Sequence, residues 1–253
     1  GRRDSMEQQF RARPRDQATE QIECYILQND LAPHSKLPSE RDMCSMWQMN
    51  RTTLRSAIRR LIVEGKVYHR KGAGTFVAPP KLERTLQDVK SFTDQVLQNY
   101  RSMQTRPLDV RTAAAPRSME RKLGLAEQSP VFQLRRLRCI NGQPVTIEAN
   151  YLDPAICPGI EQYDFSNESF YNVLAHYGIT VDHGHQTIGI TYATEGESEL
   201  LEVPVGAPLF YVSGISFDSQ NRPIEVFKSV TRADKIRFSS ILTTQPKEKV
   251  EQL

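Results

Sequence analysis

Apolar positions along the first third of the chain recur first with the period of a helix and then with that of a strand. In residues 16–29, Ile22 and Ile26 stand one turn apart among polar neighbours and Pro33 follows, which predicts an amphipathic helix. The stretch LPSERDMCSMW (37–47) offers Ser39 as a hydroxyl cap and acids in the first turn at Glu40 and Asp42. Met43, Met46 and Trp47 are the apolar positions of this second, short helix. A third begins after Asn50, a good cap, with Leu54, Ala57, Ile58, Leu61 and Ile62 as the stripe of a helix lying on a core and Gly65 as its stop. KVYHR (66–70) and TFVA (75–78) then alternate like two strands. They are joined by Lys71, Gly72, Ala73 and Gly74, whose glycines tolerate positive φ and close backbone approach.

Charge sharpens this picture. Residues 1–80 carry 14 Lys/Arg against 9 Asp/Glu, a net +5, while residues 81–253 carry 19 against 21, a net −2. Residues 50–71 alone hold seven basic side chains and one acid, Glu64, an excess that suits a polyanion. At about 100° per residue, Arg51, Thr52, Arg55 and Arg59 share an arc of roughly 100° away from most of the apolar stripe. Helix, helix, helix, wing is the order of a winged helix-turn-helix, whose third helix enters the major groove with its first turn at the base edges. Arginine suits guanine O6 and N7, while Thr and Asn reach phosphates or bases. The competing reading is that Arg51, Arg55, Arg59 and Arg60 form a solvated helix face.

Residues 37–77, LPSERDMCSMWQMNRTTLRSAIRRLIVEGKVYHRKGAGTFV, resemble the DNA-binding domain of the GntR family of bacterial transcription regulators almost end to end. The shared pattern is LPSER, then N/S-R-x-T-x-R, then a basic wing ending G-x-G-T-F-V. The resemblance implies DNA contacts from Arg41, Asn50, Arg51, Thr52, Thr53 and Arg55, and from the wing at Lys71, Gly72 and Gly74.

The rest of the chain contains an internal repeat. LGLAEQSPVFQLRRLRCINGQPVTIE (123–148) parallels LEVPVGAPLFYVSGISFDSQNRPIEVF (201–227), with Leu123 matching Leu201, Pro130 matching Pro208 and Phe132 matching Phe210. Each copy reads as strand, turn, strand; Asn141-Gly142 is a strong hairpin signal and residues 219–222 a looser one. SFYNVLAHYGI (169–179) has helical spacing, QTIGITYA (186–193) reads as a strand, and a short helix is expected over 195–201. The expectation is an α+β domain, a mostly antiparallel sheet with helices on one side and a cleft between its duplicated halves. Arg136 and Arg138 leave the same face of one strand, and inward arginines need an anion; an exposed edge of alternating charge is the alternative. Glu148, one hairpin later, is placed to accept hydrogen bonds from a polyol.

This half resembles the UTRA effector domain of the HutC branch of that family, which has a chorismate-lyase-like fold. The resemblance rests on SFTDQV (91–96), LRRLRCINGQPVTIEANYL (134–152), SFYNVLAHYGI and the RPIEV and TRADKIRF segments near the end. It implies a sugar-phosphate site in which Ser91, Phe92, Thr93, Arg136, Arg138 and Ser169 hold the phosphate and Glu148, Tyr171 and Glu225 face the rest of the ligand. There are two departures: Thr231 stands where the family often has tyrosine, which bears on the sugar end more than the phosphate end, and the usual glycine near residue 101 is absent.

A chain of 253 residues with 38% hydrophobic and 25% charged residues favours two globular domains. The expected division is a winged helix-turn-helix over 6–78, a linker over 79–87 around Pro79 and Pro80, and an effector domain over 88–245. Residues 1–5, ahead of Met6, read as an appended segment. Cys24, Cys44, Cys139 and Cys157 are scattered, and His183 and His185 in DHGH lack a third partner, so no metal, disulfide framework or cofactor is expected. No signal sequence or membrane-length apolar run is seen, which predicts a cytoplasmic protein. The function expected is a homodimeric repressor on a near-palindromic double-stranded operator, released or engaged by a small anion such as a sugar phosphate. A non-phosphorylated effector is an alternative. So are an enzyme with an accessory DNA-binding domain, for which no catalytic set is visible by spacing, and a sequence-indifferent DNA binder.

Overall fold

The computed structural model describes residues 14–85 and 103–240. They divide into two compact units, one comprising the chain to Lys81 together with Ala233–Lys235, the other the remainder from Leu82. No helix among the described residues is long and apolar enough to cross a membrane.

The described residues of the first unit form three helices and a hairpin: α1 (Pro14–Gln28), α2 (Glu40–Met46), α3 (Arg51–Val63), β1 (Val67–Arg70) and β2 (Gly74–Val77). The caps act as expected. The Asp42 N–H donates to Ser39 Oγ at 3.2 Å, and the Thr53 N–H donates to Asn50 Oδ1 at 2.8 Å. The α3 stripe of Leu54, Ala57, Ile58 and Leu61 is buried against Ala18 and Ile22 of α1 and Met43 of α2. Apolar burial at helical spacing therefore fixes which face of α3 turns outward. β1 and β2 pair antiparallel, Val67 opposite Val77 and Arg70 opposite Gly74. Gly72 and Gly74 have φ of +76° and +117°, where a Cβ would be strained.

In the second unit, β3 (Leu82–Thr85) pairs in parallel with β10 (Ile236–Ser239). A six-stranded antiparallel sheet follows in the order β4-β5-β6-β9-β8-β7. Its strands are β4 (Met103–Ala114), β5 (Pro130–Ile140), β6 (Gln143–Leu152), β7 (His183–Tyr192), β8 (Pro208–Phe217) and β9 (Pro223–Arg232). The α-helices among its described residues are α4 (Arg117–Leu123), α5 (Phe170–His176) and α6 (Glu195–Leu201). The repeat is real and longer than the sequence reveals: β4-α4-β5-β6 is matched by β7-α6-β8-β9. The matched prolines, Pro130 and Pro208, open β5 and β8, where a missing N–H costs no ladder bond. Asn141 and Gly142, at φ +51° and +76°, turn the first hairpin.

Three expectations change. The duplicated halves join through β6 and β9, Glu148 opposite Ser229, into one continuous sheet rather than facing each other across a cleft. Helices cover both faces, not one. α4 and α6 pack on the face of Val131 and Leu137, whereas α5 packs on the opposite face with Phe132 and Leu134. Strand alternation explains this, since odd and even positions of β5 are both apolar. The stretch expected as linker contains β3.

Candidate DNA-reading surface and anion site

On α3, Arg51, Thr52, Arg55 and Arg59 are exposed and Thr53 is half-buried, while Arg41 is exposed on α2 and Lys71 and Gly72 at the wing tip. One acid organises the two arginines. Glu40 Oε2 accepts from Arg51 Nε at 3.1 Å and Arg55 Nε at 2.9 Å. Burial works against its ionisation, but the hydrogen bonds and charges of Arg55 and Arg51 prevail and hold its carboxyl below the usual range. Both arginine side chains stay largely exposed, 71% and 53%, with only Nε engaged by Glu40 in these bonds. Arg60 is different: it pairs with Asp16 and with Glu64, at 2.8 Å for the latter, and for this residue the solvated, structural reading holds. Sequence reasoning had no signal for Glu40, whose partners lie 11 and 15 residues away.

In the second unit the predicted residues Arg136, Arg138, Glu148, Tyr171 and Glu225 meet in one buried network on the α5 face. Register sets Arg136 opposite Glu148. Arg138 donates through Nε and Nη2 to Glu148 Oε1 at 2.9 and 2.6 Å and through Nη1 to Thr105 Oγ1 at 2.7 Å. Arg136 Nη2 reaches Glu148 Oε1 at 2.6 Å and donates to Asn150 Oδ1 at 3.0 Å. Asn150 Nδ2 passes the chain to Glu225 Oε2 at 2.8 Å, and Glu225 also accepts from Tyr171 Oη and from Ser216 Oγ at 3.2 Å. Glu225 is 0% exposed and held by these three donors.

The electrostatics follow from burial and neighbours. Burial opposes ionisation of Glu148, yet the charges of Arg136 and Arg138 outweigh it and bring the carboxyl down to about 2. Burial lowers Arg136 to about 10, against the pull of Glu148, so it stays charged at neutral pH. Burial pushes the Glu225 carboxyl up, against the hydrogen bonds from Tyr171, Asn150 and Ser216.

What remains unsatisfied is specific. Arg136 is 2% exposed, and its Nε and Nη1 have no hydrogen-bond partner among the described residues; neither has the buried Oγ of Ser169. The guanidinium lies over the Phe170 ring, 5.7 Å from its centre. Ser169 is the residue before Phe170 and occupies the N-cap position of α5, yet its hydroxyl makes no cap bond. Leaving buried donors unpaired is costly, on the order of 1–3 kcal/mol each and more for a charged group, and these atoms lack an acceptor among the described residues. Ser91, Phe92 and Thr93 lie outside the described residues. Sequence reasoning missed Asn150, although its place two residues after Glu148 on β6 put it on the same face. Thr231, at the departure from the family pattern, is buried and bonded to Thr146 at 2.9 Å. No cluster of metal-ligating side chains occurs among the described residues, and His183 and His185 pack on Phe217. A separate depression of about 550 Å3 lies beside α6, lined by Arg106, Cys139 and Glu199 among others.

Known proteins share both units. Residues 14–77 match the model for bacterial regulatory proteins of the gntR family, and residues 98–237 match the UTRA domain. The chain is 28% identical over 222 residues to the HTH-type transcriptional repressor NagR of Bacillus subtilis (strain 168), spanning 88% of this chain and 91% of that protein. It is 29% identical over 206 residues to the probable fructoselysine utilization operon transcriptional repressor of Escherichia coli (strain K12), spanning 81% and 84%. The crystal structure of PhnF from Mycobacterium smegmatis superposes with a TM-score of 0.65 at 24% identity, covering 90% of this chain and all of that one, which speaks for the fold. Helix α3 and the buried network thus sit in the two domains of a known class: the chain belongs to the gntR family of bacterial regulatory proteins that carry a UTRA domain, and it is a regulator rather than an enzyme.

Proposed function

We propose that the protein is a transcriptional repressor whose grip on a double-stranded operator is controlled by a small anion, best a sugar phosphate, bound in the second unit. The observation that carries this reading is the pair of unpartnered N–H groups on buried Arg136 beside the unpartnered Ser169 Oγ. Phosphate oxygens accept such charge-assisted bonds strongly, and several can converge on one group. Ser91, Phe92 and Thr93 would complete the phosphate cradle, and Tyr171 would face the sugar. Relatives named as repressors support the sign of regulation, and the fructoselysine operon repressor supports a sugar-bearing ligand.

DNA is met through Arg41, Asn50, Arg51, Thr52, Thr53 and Arg55 and through the wing at Lys71, Gly72 and Gly74. One reading helix spans about half a site, so two copies on a near-palindrome are expected. β7 ends the sheet with Ile190 and Tyr192 exposed, an apolar edge that supports pairing of two copies. The ligand acts by binding one arrangement of the reading units better than the other. Fluorescence anisotropy on an operator selected from random duplexes, with a panel of hexose phosphates and matched unphosphorylated sugars and carboxylates, tests this. Response to phosphorylated members alone is expected. Response to the unphosphorylated sugars would remove the anion from the account.

A further inference from the structure

β3 lies in the stretch that the sequence predicts as linker, yet it carries a cationic side chain, Arg84, packed on the ring of Phe238. Leu82 stands opposite Ile236 and Arg84 opposite Phe238. Alternation sends Glu83 outward to pair with Arg237 at 2.7 Å, while Leu82 joins the cluster of Ile140, Val145 and Ile236. Arg84 therefore leaves β3 on the Leu82 side, its Cζ 5.7 Å from the centre of the Phe238 ring. Phe238 stands edge-on to Phe210 at 5.0 Å, and Phe210 lies opposite Thr231, itself opposite Thr146, two residues before Glu148 on β6. The charge of Arg84 acts on both Glu148 and Tyr171. The charges of Arg84, Arg136 and Arg138 thus all bear on the Glu148 carboxyl, to which Arg136 and Arg138 bond directly.

We infer that Arg84 couples the anion site to the DNA-reading unit: an anion held at Arg136 draws Arg84 toward it, and β3 carries the displacement to the wing. The inference rests on the anion site proposed above and names its regulation. Two features favour it. β3 and β10 form a two-stranded parallel sheet of four residue pairs. Parallel pairs are the weaker kind and β3 has a strand neighbour on one side only, so β3 shifts more readily than a central strand of the six-stranded sheet. Four residues separate Val77, the end of β2, from Leu82, and Pro79 and Pro80 are two of them. Fixed φ at consecutive prolines makes so short a connection stiff, and a shift at one end reaches the other.

The test uses the full chain, a labelled operator from the random-duplex selection, and glucose 6-phosphate and inorganic phosphate as probes. In the unaltered chain a saturating probe should change operator affinity by about tenfold or more. Arg84→Gln should bind operator alone as the unaltered chain does and keep calorimetric probe binding to within about tenfold, yet shift operator affinity less than about twofold at saturation. Arg84→Lys keeps the charge and should recover part of the shift. Replacing Pro79 and Pro80 together by glycine should uncouple the sites with Arg84 intact. If Arg84→Gln, once saturated, shifts operator affinity as fully as the unaltered chain, the coupling role is wrong and the anion site stands. If the unaltered chain binds neither probe, the anion site itself fails and the inference with it.

Discussion

Arg138 and Glu148 are locked together across β5 and β6, two guanidinium nitrogens on one carboxylate oxygen at 2.9 and 2.6 Å with Thr105 taking the third nitrogen. Arg136, two residues earlier on the same face, shares that oxygen but keeps Nε and Nη1 unpartnered among the described residues. Two arginines that look equivalent in sequence therefore divide the work. Arg138 fixes the carboxylate, and Arg136 presents donors.

Glu148→Gln should destabilise the second unit by about 3–5 kcal/mol, because it strands two buried guanidiniums without their counter-charge. Urea unfolding of the two chains at neutral pH checks this.

The same carboxyl sets an acid limb. Its pKa falls from the ordinary 4.5 to about 2 on folding, so its stabilisation is fully present above pH 4.5 and is lost as pH falls toward 2. Glu225, pushed upward, acts in the other direction and above 4.5, outside this window. Unfolding midpoints measured between pH 4.5 and 2 should fall more steeply for the unaltered chain than for Glu148→Gln.

At the DNA surface, Arg51→Ala or Arg55→Ala should cost about 1–3 kcal/mol in operator binding. Arg60→Ala should leave binding within about twofold, since that side chain is engaged by Asp16 and Glu64. Anisotropy titrations at one fixed salt concentration separate these outcomes, and equal losses at all three positions would mean a diffuse electrostatic surface.

Glu40→Gln removes a negative charge and frees the arginines it bridges. Affinity for random duplex should rise more than affinity for the operator, narrowing the specificity ratio. Competition with unrelated DNA measures that ratio directly.

The first unit was legible because its signals are local: caps at Ser39 and Asn50, an apolar stripe on α3, glycines at the wing. In the second, the hairpins showed through the repeat and the Asn141-Gly142 turn. β4 did not, because MQTRPLDVRTAA carries Pro107 at mid-strand, where the pairing with β5 is irregular, and has no continuous alternation. β3 escaped because four residues acquire strand geometry only from β10, about 150 positions away. The arginine pair was visible as same-face cations, but which arginine keeps free donors depends on Thr105 and Asn150, contacts that no spacing rule reaches.

Gly214 is a further nonlocal constraint. A Cβ there would fall 2.3 Å from His185 O and 2.3 Å from Phe227 Cζ, so Gly214→Ala must displace β7 backbone or the Phe227 ring. A loss of about 1–3 kcal/mol is expected, in the range of overpacked cores. Thermal unfolding of the variant checks it.

The central claim is that Arg136 is held ready for an anion, and calorimetric titration of a hexose 6-phosphate into the unaltered chain, Arg136→Gln and Ser169→Ala tests it most directly. The unaltered chain should bind, and Arg136→Gln should lose about 2–5 kcal/mol of binding free energy while still binding operator. Ser169→Ala should lose about 1 kcal/mol, the worth of one hydroxyl bond. Undiminished binding of the phosphosugar by Arg136→Gln would contradict the account.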